Sequence, residues 1–158
     1  MSGGAFRVAR IDLDERTVAR RGADVEHERR VAIFDLIESN SFAPIGDHGG
    51  PYHLGLGVEE SRLVFDVRRE DGAAVGRVLL PLAGLRSVIR DYFTVCESYY
   101  EAIKHATPAR IETLDHGRRA LHDEGSVLLR ERIADRIAVD HDTARRLFML
   151  ICVLHVRG

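Results

Sequence analysis

The sequence predicts a compact single-domain α+β protein, in which an antiparallel sheet of about four strands packs against about four helices. Apolar residues alternate in several short stretches before residue 80, which is typical of half-buried strands, and recur at helical spacing after residue 82. The chain has 158 residues, a length that fits one hydrophobic core. We expect residues 1–5 to form a flexible N-terminus and residues 6–158 to form the domain.

One strand and one helix precede the main part of the sheet. Residues 6–13 alternate imperfectly and predict a strand. Asp24 is a candidate N-cap, after which apolar residues recur at helical spacing until Asn40-Ser41. The stretch from Pro44 to Pro51 contains three glycines and two prolines, so it predicts a loop.

Three further strands are expected to form an antiparallel meander. Alternating apolar residues mark them within residues 54–58, 63–67 and 75–80. Asp71-Gly72 lies between the second and the third of these stretches and is a strong hairpin-turn signal. Short connections of this kind favour antiparallel pairing of consecutive strands.

Two consecutive helices follow the meander. A broad apolar face runs from Leu82 to about His105. Thr107-Pro108 supplies an N-cap and a proline at the first helical position, so the next helix begins at Pro108. Gly117 and Gly125 lie on the apolar side of this third helix, where we expect a neighbouring backbone to approach closely.

The C-terminal part predicts a short edge strand and then the central helix of the core. The strand covers residues 136–139, and Asp140 or Asp142 is expected to cap the helix. This helix is apolar around most of its circumference, which is typical of a buried helix. His155 lies in its apolar stripe and is expected to be buried and hydrogen-bonded.

Composition excludes several classes of function. The 23 basic and 25 acidic residues give a net charge of −2, and the two signs alternate along the chain, so we expect no nucleic-acid binding. No apolar run approaches the ~20 residues of a membrane-spanning helix, and no signal peptide is recognisable, so we expect a cytoplasmic protein without membrane contact. The histidine and cysteine spacings match no metal or cofactor motif, and we expect neither group.

The first candidate site lies on the third helix. Asp115, Arg118 and His122 fall at the margin of its apolar stripe. In that position they can act as an orienting carboxylate, an anion clamp and a proton-transfer imidazole. A salt-bridged helix rim explains the same spacing, so both interpretations remain open.

The second candidate site lies at the start of the last helix. Arg145 and Arg146 belong to its first turn, where free backbone N–H groups and the helix dipole favour anions, and His141 lies just before them. Pairing of the arginines with Asp140 and Asp142 is the structural alternative.

Two classes of function are compatible with these sites. The first is a non-catalytic domain that binds a small anionic ligand or a protein partner through the third-helix margin and the two arginines. The alternative is a metal-independent acid/base enzyme that uses His122 with Asp115 and Arg118.

Several runs of the sequence together resemble a known bacterial family. The runs are Glu26-His27-Glu28-Arg29, Gly50-Pro51-Tyr52, Arg62 to Asp66, Asp91 to Phe93, Cys96 to Ile103, Gly117 to Gly125, and Asp142 to Phe148 with His155. They resemble the uncharacterised protein family UPF0262 nearly from end to end. The resemblance implies no activity, cofactor or catalytic residue.

Overall fold

A computed structural model describes residues 6–14 and 23–154 of the chain. The strands are β1 (Val8–Leu13), β2 (Phe42–Pro44), β3 (Tyr52–Glu59), β4 (Arg62–Arg69), β5 (Ala74–Pro81) and β6 (Ile137–Val139). The helices are α1 (Ala23–Glu38), α2 (Arg86–His105), α3 (Pro108–Ile133) and α4 (His141–Leu154). The predicted α+β class is confirmed. Residues 1–5 and His155 lie outside the described residues, so the expectations about them remain predictions.

The main sheet is mixed, whereas the sequence predicts an antiparallel one. Its strand order is β1-β3-β4-β5, and the meander of β3, β4 and β5 is antiparallel as predicted. The pairing of β1 with β3 is parallel. The chain reaches β3 by a long connection that contains α1, which returns it to the end of the sheet where β1 began, and such crossovers join parallel strands.

A second sheet contains only two strands, β2 and β6, which pair in antiparallel orientation. The edge strand predicted at residues 136–139 is therefore present, but its partner is a stretch that directly precedes the glycine-rich loop. Phe42 lies opposite Val139, and both side chains are buried. A strand of three residues is too short to show the alternation that identifies strands in a sequence.

Helix α4 lies at the centre of the fold, between α1 and α3 and against β3. Every described side chain from Leu147 to Leu154 is buried except that of Met149, which confirms the predicted central helix. Of the two candidate caps, Asp140 is the one that acts, because its Oδ1 accepts the Thr143 N–H at 2.9 Å. Within residues 6–14 and 23–154, no helix combines the length and apolar character needed to cross a bilayer.

Helix α3 begins as predicted, since the Thr107 side chain accepts the Arg110 N–H and Pro108 follows it. Its first half packs on α2, and its second half packs on α4 and, through His122, also on Tyr92 of α2. The two glycines on its inner side therefore differ in their surroundings. A Cβ added at Gly125 would lie 2.2 Å from Cζ of Phe148, whereas at Gly117 it would lie 3.8 Å from Cγ1 of Val95.

The end of α1 is fixed to both β1 and α4. The Asn40 side chain accepts the Val8 N–H at 2.7 Å and donates to the carbonyls of Val8 and Leu36. The next residue, Ser41, donates its N–H to Oγ1 of Thr143 at 2.9 Å. These bonds hold the C-terminal end of α1 beside the start of α4, and the two helices form the walls of a cleft.

Candidate functional site

The cleft between α1 and α4 has a volume of about 320 Å³. Three apolar side chains line it, Val31, Ala32 and Met149. Six ionisable side chains complete the lining, namely His27, Glu28 and Asp35 of α1, His122 of α3, and Arg145 and Arg146 of α4. The cleft therefore unites His122 with the two predicted arginines.

The two arginines keep most of their hydrogen-bond donors free of protein partners. Arg146 donates from Nη1 to the Ser39 carbonyl at 2.9 Å, which fixes the position of its guanidinium group. Nη1 of Arg145 lies 3.8 Å from Oδ1 of Asp142, and both of these side chains are largely exposed. Such an exposed pair contributes little free energy. A guanidinium group has five N–H donors, so these contacts leave both arginines able to bind an anion.

His122 forms the inner part of the cleft wall as a neutral imidazole. Its ring packs edge-on against Tyr92 and Phe148, with centroid distances of 5.4 and 5.2 Å. Burial, followed by the positive charges of Arg145 and Arg118, lowers the pKa of His122 to about 4. Its Nε2 is buried and has no hydrogen-bond partner in the described part of the chain.

Asp115 and Arg118 do not line this cleft. Arg118 and Arg119 both donate to the Asp115 carboxylate, and the bond from Arg118 is the largest cause that holds the pKa of Asp115 below its usual value. The guanidinium carbon of Arg118 lies 4.7 Å from the centre of the Tyr99 ring on α2. Among the described residues, no hydrogen bond joins His122 to Asp115.

His141 lies at the surface beside α3, outside the lining of the cleft. Its Nε2 is 2.9 Å from Oδ1 of Asp123, and both side chains are well exposed. The structure thus separates the predicted site residues into three groups: an α2–α3 contact, a surface pair and the cleft.

The wall formed by α1 contains site residues that the sequence analysis missed. Glu28, Val31, Ala32 and Asp35 follow the spacing i, i+3, i+4 and i+7, which places them on one face of a helix. That spacing is a usable signal, but only the Asp24 cap and the apolar residues of this helix were used in the sequence analysis, to predict its extent.

The two carboxylates on this wall have different partners. Oε2 of Glu28 accepts the Tyr100 hydroxyl at 2.8 Å. Asp35 is half-buried, and no hydrogen bond or ion pair of its carboxylate occurs with the residues in the ranges 6–14 and 23–154.

Cys96 on α2 and Cys152 on α4 are free thiols. Burial raises the pKa of Cys96 to about 11 and that of Cys152 well above its ordinary value, so both are protonated near neutral pH. Within the described ranges, no three His, Cys, Asp or Glu side chains are arranged to hold a metal ion.

Comparisons with known proteins identify the family. The family model described as "Uncharacterised protein family (UPF0262)" matches residues 5–157. No solved structure matches the chain.

Relatives from three bacteria match over almost their whole length. A UPF0262 protein of Paramagnetospirillum magneticum is 57% identical over 152 residues, which are 96% of this chain and 97% of the relative. One from Rhizobium leguminosarum bv. trifolii is 56% identical over 158 residues and the full length of both chains. One from Brucella canis is 59% identical over 153 residues, 96% of this chain and 95% of the relative. The resemblance noted in the sequence is confirmed, and the chain belongs to the UPF0262 family.

Proposed function

We propose that this protein is a non-catalytic binding protein whose cleft between α1 and α4 holds a small anionic ligand. The observation that carries the proposal is the pair of arginines on the cleft wall, Arg145 and Arg146, most of whose donors have no protein partner. The volume of about 320 Å³ falls at the lower end of the ~300–1,000 Å³ typical of small-molecule pockets.

The arginines suit an oxyanion for a physical reason. The guanidinium fork binds carboxylate or phosphate through two parallel N–H···O bonds, each of which contributes about 1.5–3 kcal/mol. The Ser39 carbonyl holds Arg146 in place, which lowers the entropy that is lost when a ligand binds. A pKa of about 4 makes His122 neutral at pH 7, so it can donate or accept a hydrogen bond without adding charge.

The enzyme alternative receives less support from the contacts. An imidazole that acts as a general base needs a partner to orient it and a pKa near the working pH. Asp115 binds Arg118 and Arg119 instead of His122, and the pKa of His122 is about 4. Non-catalytic binding is therefore the function we propose.

A protein partner is the other binding alternative. Val31, which lines the cleft, and Phe34 on the same helix α1 are exposed. They would form the surface that a protein partner contacts. Two exposed apolar side chains are common on the surface of a monomer, whereas two arginines with unused donors on one cleft wall, one of them fixed by the Ser39 carbonyl, are more specific for a ligand. For this reason we prefer the small anion.

The test uses the whole chain with inorganic phosphate and pentanoate as probes, at constant ionic strength maintained with sodium chloride. We expect at least one probe to raise the melting temperature in a saturable manner beyond the effect of chloride. Arg145→Gln should lower the affinity for that probe at least tenfold, and the double variant with Arg146→Gln should lower it further.

Arg90→Gln is the matched control, since Arg90 is an exposed arginine on α2 outside the cleft. It should leave the affinity for phosphate and pentanoate unchanged. The proposal is wrong if Arg145→Gln and Arg90→Gln have equal effects, or if neither these probes nor analogues of them that also carry an amine act beyond chloride.

A further inference from the structure

We infer that the ligand of this cleft is a zwitterion, which carries a protonated amine together with its carboxylate or phosphate. Arg145 and Arg146 bind the anionic group, and the carboxylate of Asp35 binds the amine. This inference rests on the proposed function and specifies the ligand class of the same site.

The charges on the cleft wall are balanced. Arg145 and Arg146 contribute two positive charges, and Glu28 and Asp35 contribute two negative charges. A ligand with only an anionic group would bring its charge close to two carboxylates in a partly desolvated cleft, where like charges repel strongly. A ligand with both signs of charge has a counter-charge on each wall.

Asp35 is the carboxylate available for an amine. Glu28 already accepts a hydrogen bond from Tyr100 at 2.8 Å. The half-buried Asp35 carboxylate has no such donor among residues 6–14 and 23–154. A carboxylate that loses solvent without gaining a donor is costly, and a bound ammonium group removes this cost.

Asp35 and Arg146 line the same cleft without forming an ion pair with each other. The Ser39 carbonyl accepts a hydrogen bond from Arg146, and the Ser39 N–H donates to the Asp35 carbonyl one turn earlier on α1. The step of four residues from Asp35 to Ser39 corresponds to about 6 Å along the helix axis. The two charges therefore line one cleft from two helices, α1 and α4, which suits a ligand that bridges them. Val31 and Met149 supply apolar surface for its carbon atoms.

The test compares probes that share a carbon skeleton. The carboxylate series consists of norvaline, 5-aminopentanoate, pentanoate and pentylamine. The amine is next to the carboxylate in the first, at the far end of the chain in the second and absent from the third, and pentylamine has the amine without a carboxylate. The phosphate series consists of phosphoethanolamine, ethyl phosphate and ethanolamine. Titration calorimetry on the full chain should give at least one zwitterion an affinity tenfold or more above that of its anionic analogue.

Asp35→Asn should lower the affinity for that zwitterion at least tenfold and should leave the affinity for the anionic analogue unchanged or raise it. Asp91→Asn, at an exposed acid of α2 outside the cleft, is the matched control and should alter neither affinity.

The outcomes separate this inference from the proposed function. If the anionic analogues bind as tightly as the zwitterions, the inference is wrong and the proposed function stands. If no anionic or zwitterionic probe binds, both are wrong. An unchanged zwitterion affinity in Asp35→Asn also overturns the inference, and if this variant does not fold, the comparison of probes on the wild-type chain still decides.

Discussion

Two neighbouring segments of α3 are packed in different ways. Residues 115–119 lie against α2, where Arg118 contacts Tyr99 and both Arg118 and Arg119 bind Asp115. Residues 122–126 lie between α2 and α4, where His122 contacts the rings of Tyr92 and Phe148 and Gly125 also lies against Phe148. The first segment is held by charged side chains at a half-exposed margin, and the second by close packing of rings.

The difference explains why one segment contributes to the cleft and the other does not. Gly125 lets the Phe148 ring lie against the backbone of α3, so α3 and α4 come close together and His122 reaches the cleft wall. Asp115 has its negative charge neutralised by two arginines of its own helix, so that contact offers no free group for a ligand. Charged groups that pair with one another are not available to a ligand, whereas charged groups without protein partners can bind one.

The largest expected effect is that of Gly125→Ala. The new Cβ would lie 2.2 Å from Cζ of Phe148, a buried ring that cannot move without displacing its neighbours. We expect the free energy of unfolding to fall by about 3 kcal/mol, in the range found for overpacked cores. Urea unfolding monitored by circular dichroism would measure it.

Gly117→Ala is the matched control on the same helix. Its Cβ would meet Cγ1 of Val95 at 3.8 Å, an ordinary van der Waals distance. Alanine favours helix over glycine by roughly 0.5–1 kcal/mol, so this variant should be as stable as the wild type or slightly more stable. Equal losses of stability in the two variants would show that the two segments are packed alike.

The second effect is a pH dependence caused by His122. An unfolded chain protonates this histidine near pH 6.5, while the folded protein does so only near pH 4. Between these values the unfolded state binds more protons, so the free energy of unfolding falls as the pH falls. The loss should be about 2 kcal/mol between pH 6.5 and 4.5.

His122→Asn should remove most of this slope, whatever its effect on stability at pH 7. His116→Asn, at an exposed position of the same helix, should keep the slope of the wild type. Urea unfolding at several pH values would compare the three proteins. A wild-type slope that persists in His122→Asn would assign the pH dependence to other groups.

The sequence predicts local elements of this fold better than long-range pairings. Apolar periodicity and the Thr107-Pro108 signal depend on nearby residues, and the helices and the meander occur where they predict them. The parallel pairing of β1 with β3 depends on how a long connection packs, and no local pattern encodes it. For the same reason, a three-residue strand such as β2 becomes recognisable only beside its partner.

Of the residues that line the cleft, three are predicted from the sequence, His122, Arg145 and Arg146. Arg145 and Arg146 were singled out by their place at a helix N-terminus, and they do line the cleft. The opposite wall depends on which face of α1 packs beside α4, so Asp35 was missed although its spacing from Glu28 is regular. Asp115 and Arg118 lie on α3 outside the cleft. Arg118 contacts Tyr99 of α2, and neither residue lines the cleft.

The smallest expected effect is that of Arg118→Ala. The variant loses the contact between the guanidinium group and the Tyr99 ring, and such contacts contribute about 0.5–1 kcal/mol. The change also removes Nε of Arg118, a buried atom without a hydrogen-bond partner in the described residues, which limits the loss. We expect the free energy of unfolding to fall by about 1 kcal/mol, as measured by urea unfolding.

Arg119→Ala separates the ring contact from the ion pair, because Arg119 also binds Asp115 but is largely exposed and is not stacked on Tyr99. We expect almost no change in its stability, since exposed ion pairs contribute little. Arg118→Lys should remain less stable than the wild type, because an ammonium group keeps the charge but not the planar stacking. Equal losses in Arg118→Ala and Arg119→Ala would instead assign the stabilisation to the charge of Asp115. Phosphate and pentanoate affinities should be unchanged in all three variants, because neither arginine lines the cleft.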